Sequence, residues 1–71
     1  MIRKRSVTIR GHRTSFSIED EFWLVLKEIS SKAGQSMAQL ITKIDAKRDT
    51  ETNLSSALRI HVLNFLKENA D

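Results

Sequence analysis

The sequence predicts a mainly α chain with one N-terminal β-strand, forming a single domain over residues 1–71. Three observations lead there. Residues Arg13-Thr14-Ser15-Phe16-Ser17-Ile18 alternate polar and apolar side chains, the period of a half-buried strand. Apolar residues then recur at helical spacing in three later segments. Gly34 and the polar run Arg48-Asp49-Thr50-Glu51-Thr52 interrupt that spacing twice.

The strand, residues 13–18, turns Phe16 and Ile18 to one side and Arg13, Ser15 and Ser17 to the other. A helix-like segment follows at once, so no partner strand lies downstream in the chain. Backbone donors and acceptors of a strand need partners. The same strand of a second copy would supply them and give a two-stranded ribbon. Residues 1–12 read as a basic N-terminal arm or as a short hairpin strand. In the second case Ser6-Val7-Thr8-Ile9 folds back through Gly11-His12. The arm is preferred, because an isolated hairpin is weak.

The first helix is expected over residues 19–33. Ser17 and Asp20 have capping spacing, and Glu19, Asp20 and Glu21 set negative charge at the positive end of the helix dipole. Phe22, Leu26, Ile29 and Ala33 form its stripe, widened by Val25, and Gly34 closes it. Trp23 packs on its shoulder. A second helix over 37–47 opens with the capping box Ser36-Met37-Ala38-Gln39 and carries Met37, Leu40, Ile41 and Ile44. Asn53 is a favoured N-cap for a third helix over 53–69, whose stripe is Leu54, Leu58, Val62, Phe65 and Leu66. Helix on helix, with the strand over one end, gives the three stripes one core.

Size and composition restrict what such a chain can be. At 71 residues it buries only about 60–65% of its unfolded surface, so association is the expected source of extra stability. Cysteine is absent, which removes disulfides and thiolate metal sites. His12 and His61 are too far apart in sequence to suggest a ligand pair. No cofactor or metal is expected. No apolar run has membrane-spanning length, and the charged N-terminus lacks the apolar stretch of a signal peptide; a cytoplasmic protein with no membrane partner is expected. Neither histidine has a neighbouring nucleophile, and there is no glycine-rich phosphate loop, so no enzyme is expected.

Charge is uneven. Residues 1–17 carry +5 and the remainder −2. The basic segment leads directly into the two-faced strand, a pattern suited to phosphate. Arg3, Lys4, Arg5 and Arg10 are the candidate phosphate contacts, with His12 beside them. Arg13, Ser15 and Ser17 are the candidate base contacts, since arginine pairs with guanine edges and serine with several bases. A solvated strand face is equally polar, so the arm beside the strand strengthens the reading. Gly34-Gln35-Ser36 adds free N–H groups at a helix start, a ready anion site, although simple capping accounts for the same residues.

The order strand, helix, Gly-x-Ser, helix over residues 13–47 resembles the ribbon-helix-helix DNA-binding family. Lys4-Arg5-Ser6-Val7, Gly11-His12-Arg13-Thr14-Ser15, Glu21-Phe22-Trp23 and Asn53-Leu54-Ser55-Ser56-Ala57-Leu58-Arg59 extend the likeness to short bacterial proteins with such a domain. The resemblance implies a ribbon-helix-helix fold with an additional C-terminal helix and an intertwined homodimer. It implies that Arg13, Ser15 and Ser17 enter the major groove of double-stranded DNA while Gln35 and Ser36 clamp phosphate. Phe16 and Ile18, with Phe22, Leu26, Ile29, Leu40, Ile41 and Ile44, would form the dimer core. Leu54 to Arg59 also resembles the start of the family's second helix, which would make 36–47 an insertion; the first register is preferred because Gly34-x-Ser36 follows a helix of ordinary length. The implied function is sequence-specific DNA binding, as in a transcriptional regulator. The alternative is a homodimeric interaction module, antitoxin-like or scaffold, with an unknown protein partner.

Overall fold

The computed structural model describes residues 1–70. A hairpin, β1 (Ile2–Ile9) and β2 (His12–Glu19), precedes three helices: α1 (Asp20–Lys32), α2 (Met37–Lys47) and α3 (Leu54–Glu68). The hairpin is antiparallel, with Ile9 opposite His12, Arg5 opposite Phe16 and Ile2 opposite Glu19. The preferred arm is therefore a strand, and β2 has its partner upstream in its own chain. The turn is Arg10-Gly11, one residue earlier than expected. Both residues have positive φ, 52° and 82°, the requirement of a type I′ turn.

What overrides the weakness of an isolated hairpin is the helical layer beneath it. Cross-strand partners share a face, so Val7 and Ile9 join Phe16 and Ile18 on the inner side. Ile9, Phe16 and Ile18 are buried in one core with Leu26, Ile29, Leu40, Ile41, Ile44, Leu54, Leu58 and Val62. Of the residues expected in a dimer core, seven are thus buried within the chain, and Phe22 packs at the edge of the same cluster.

The helix ends follow local chemistry. Glu19, in extended conformation, is the N-cap of α1 and makes no side-chain cap bond. The expected Ser17–Asp20 capping pair does not form, because Ser17 remains in the strand. Positive φ at Gly34 lets the chain turn back, and the Gln35 amide donates to Ser30 O at 2.9 Å. The Ser36 capping box is complete: Gln39 N donates to Ser36 Oγ at 3.1 Å and Ser36 N to Gln39 Oε1 at 2.8 Å. Asn53 Oδ1 accepts from Ser56 N at 2.8 Å and starts α3. Two expected stripe residues, Ala33 and Leu66, are exposed.

Candidate nucleic-acid interface

The period-two alternation of the hairpin sorts its residues into two faces. Beyond the Ile2–Glu19 pair at its base, the outer face carries three cross-strand pairs, Lys4 with Ser17, Ser6 with Ser15 and Thr8 with Arg13. All six side chains are exposed, and none is acidic. Arg13, Ser15 and Ser17 therefore share one surface. Ser6 and Thr8, which the sequence offers as part of a hairpin strand but not as candidate contacts, double its hydroxyl content. Their signal was the alternation Lys4, Ser6, Thr8 against Arg5, Val7, Ile9, which the arm reading left unused. Arg10 and His12 are exposed at the hairpin tip.

Arg3 and Arg5 stand elsewhere. Odd-numbered positions of β1 face the helices, and both arginines meet Asp20 at the start of α1. Arg3 Nε donates to Asp20 Oδ2 at 3.2 Å and lies 3.1 Å from Oδ1; an Arg5 terminal nitrogen is 3.5 Å from Oδ1. The Arg5 guanidinium also covers the Trp23 ring. At the other end of the same junction, Arg59 of α3 donates to Glu19 Oε1 at 2.8 Å. The Glu19 carboxyl is held below its ordinary value of 4.5, first by its own backbone N–H and then by Arg59. The acids nearest the ribbon base are thus occupied by Arg3, Arg5 and Arg59, and the outer face is left cationic.

The two edges of β2 differ. In a two-residue hairpin the closing pair exchanges both backbone bonds, and every second pair after it does the same. Ile9–His12 is the closing pair, and the Asp20 N to Met1 O bond of 3.0 Å keeps that phase. The backbone groups of Arg13, Ser15 and Ser17 therefore point away from β1, along an edge with no partner strand among the described residues.

At the start of α2, the hydroxyl and amide of Ser36 are engaged by Gln39, and the Gln35 amide by Ser30. The free first-turn N–H groups are those of Met37 and Ala38, and no acid occupies that turn. Gln35 and Ser36 supply the geometry of the terminus, while its open donors lie one and two residues later.

Among the described residues no group of three His, Asp or Glu is placed to hold a metal ion. No helix is long and apolar enough to cross a membrane. The family model described as ribbon-helix-helix domain matches residues 2–66. No curated protein and no solved structure matches the chain.

Proposed function

The chain belongs to the ribbon-helix-helix domain family, and from that premise we propose that it is a homodimeric, sequence-specific DNA-binding protein that regulates transcription in the bacterial cytoplasm. One observation carries the reading: a solvent-exposed strand face of Lys4, Ser6, Thr8, Arg13, Ser15 and Ser17 that contains cations and hydroxyls, the one carboxylate of that face, Glu19 at its base, being paired with Arg59. A second copy adds its β2 to the open edge, antiparallel, and the polar faces of both chains become continuous. The central strands enter the major groove, which admits a two-stranded ribbon. Arg13, Ser15 and Ser17 read base edges there. Lys4, Arg10 and His12 attract phosphate, and the α2 terminus at Gln35 and Ser36 offers the Met37 and Ala38 amides to the backbone. Arg3 and Arg5 add to the field from behind the ribbon.

The test is a salt-titrated DNA-binding measurement combined with light scattering. A dimer whose affinity falls with a log–log salt slope of about 0.9 per phosphate neutralised supports the proposal. A monomer that ignores DNA, or a flat salt dependence, sinks it. Arg13→Ala should relax base preference by about 1–3 kcal/mol while leaving the dimer intact.

A second reading is an interaction module without specific DNA binding. It is favoured by Ile60, Leu63 and Leu66, large apolar side chains of α3 that are exposed. A dimer that captures a protein partner and shows no preference among DNA sequences would support it over the first.

A further inference from the structure

A cavity of about 530 Å³ lies between α2 and α3, closed at one end by the last turn of α1 and remote from both strands. It arises because two helical faces meet imperfectly. On α2, Leu40, Lys43, Ile44 and Lys47 share a face by their i, i+3, i+4, i+7 spacing. Ala57, Ile60, His61 and Asn64 repeat that spacing on α3. Both sets line the cavity. Its volume falls within the range of small-molecule sites, which combine apolar walls with a few convergent polar groups.

The chemistry of the lining is directional. Buried Ile29, Leu40 and Ile44 form an apolar floor, half-buried His61 lies beside it, and exposed Lys43, Lys47 and Ile60 stand at the rim. Arg48 is committed, its Nε to Asp45 at 3.0 Å and a terminal nitrogen to Thr52 O at 2.8 Å. Lys43 and Lys47 have no ion-pair partner among the described residues. Two unpaired ammonium groups above an apolar floor favour one anionic group attached to an apolar body. Asp49, the only acid in the lining, disfavours a second anionic group. A polyanion such as a nucleotide would leave the floor unfilled.

We propose that the α2–α3 cavity is a binding site for a small amphipathic carboxylate, its apolar body on Ile29, Ile44 and Ile60 and its carboxylate between Lys43 and Lys47. Gln35 also lines the cavity. An occupant therefore touches the segment that leads into the first turn of α2.

Octanoate titrated into the full chain, followed by amide and imidazole resonances, tests this without DNA, so failure of DNA binding leaves the result unaffected. Saturable shifts centred on residues 40–47 and 57–64 are expected. Octanol, the neutral analogue, should bind about tenfold more weakly, the loss of one charge-assisted contact. A Lys43→Gln, Lys47→Gln double variant, altered only at exposed positions, should bind octanoate no better than octanol. Octanoate should also raise the pH at which His61 titrates, and octanol should not. The charged groups around His61 are Lys43 and Lys47 of α2, Arg48 and Asp49 of the following loop and Glu68 of α3; α1 contributes no charge to the lining. Equal binding of octanol and octanoate, unchanged binding by the double variant, or shifts scattered over the surface would overturn the proposal. So would cavity resonances that respond to protein concentration instead of octanoate, since a second copy would then occupy the groove.

Discussion

The guanidinium of Arg5 lies over the Trp23 ring, 4.1 Å from its centroid, so the hairpin is held to α1 by a cation on an aromatic face. Phe16 completes the stack, its ring centroid 6.1 Å from that of Trp23. Strand alternation puts Arg5 on the helix side, opposite Lys4, and this contact gives its cation a partner there. Arg5→Ala should cost about 1 kcal/mol in urea unfolding, the range of a cation–π contact at a partly exposed site. Arg5→Lys should recover only part of that, because an ammonium stacks less well than a planar guanidinium. Trp23 is the single tryptophan, so its fluorescence reports directly on the loss. Equal stability of all three proteins would mean that the stacked pair is no better than its solvated parts.

The hairpin tip makes an opposite pair of predictions. Arg10 occupies a left-handed conformation that costs most L-residues energy, whereas Asn tolerates it. Arg10→Asn should stabilise the fold by about 0.5–1 kcal/mol. The same change removes a cation from the proposed interface, so the salt slope of DNA binding should fall by about 0.9. Gly11→Ala should destabilise by about 1 kcal/mol. No atom lies within 4 Å of the added Cβ, so that loss would come from φ alone. Thermal unfolding of the two variants in parallel checks both signs.

At the start of α2 the reciprocal bonds of Ser36 and Gln39 satisfy two groups that the helix leaves unpaired. Ser36→Ala should cost about 1 kcal/mol. Ser36→Gly should cost only a few tenths, since glycine is an acceptable N-cap. Denaturant midpoints at constant slope distinguish a lost cap from a wider rearrangement.

Two groups shape the acid limb of the stability curve, by different routes. Burial, and secondarily Lys47, lowers the His61 pKa below its ordinary 6.5. The unfolded chain therefore takes up this proton before the folded one does. Stability is unaffected well above pH 6.5 and declines as pH falls below it towards the folded value. His61→Gln should remove that decline while leaving the alkaline side unchanged. Glu19 titrates lower: its depressed pKa contributes stability above about 4.5 that is lost as pH falls through the folded value. Arg59→Met should weaken this second loss without altering the first. Unfolding followed across the pH range resolves the two, and a single merged transition unaffected by either variant would contradict the assignment.

The helices were legible because their signals are local. Ser36 with Gln39, Asn53 before Leu54, and Gly34 after α1 each act within four residues, and period 3.6 located the buried faces. The hairpin was legible only in half. Phe16 and Ile18 sit among alternating polar residues and declared a strand. The partner strand was disguised by Arg3, Lys4 and Arg5, whose charges read as a solvated arm. What makes them a strand is tertiary: Asp20 and Trp23 receive Arg3 and Arg5 on the inner face, and no short-range rule anticipates a pairing seventeen or eighteen positions away. The same blindness hid Ser6 and Thr8 from the candidate interface and the cavity between α2 and α3. Which donors stay free at α2 was beyond the pattern too, since the motif that announces the terminus also occupies Ser36.

Pairing β2 with a neighbour only two residues away in sequence also fixes the order of events when the chain folds. A two-residue loop closes rapidly, and hairpins zip in about 1–10 μs. Phe16 and Ile18 can therefore reach the helical core in a unimolecular step whose rate does not depend on how much protein is present. A ribbon built from strands of two chains must instead wait for collision. In this molecule the early refolding phase should be the same at dilute and concentrated protein, and any later phase that accelerates with concentration reports assembly along the open edge of a strand already formed.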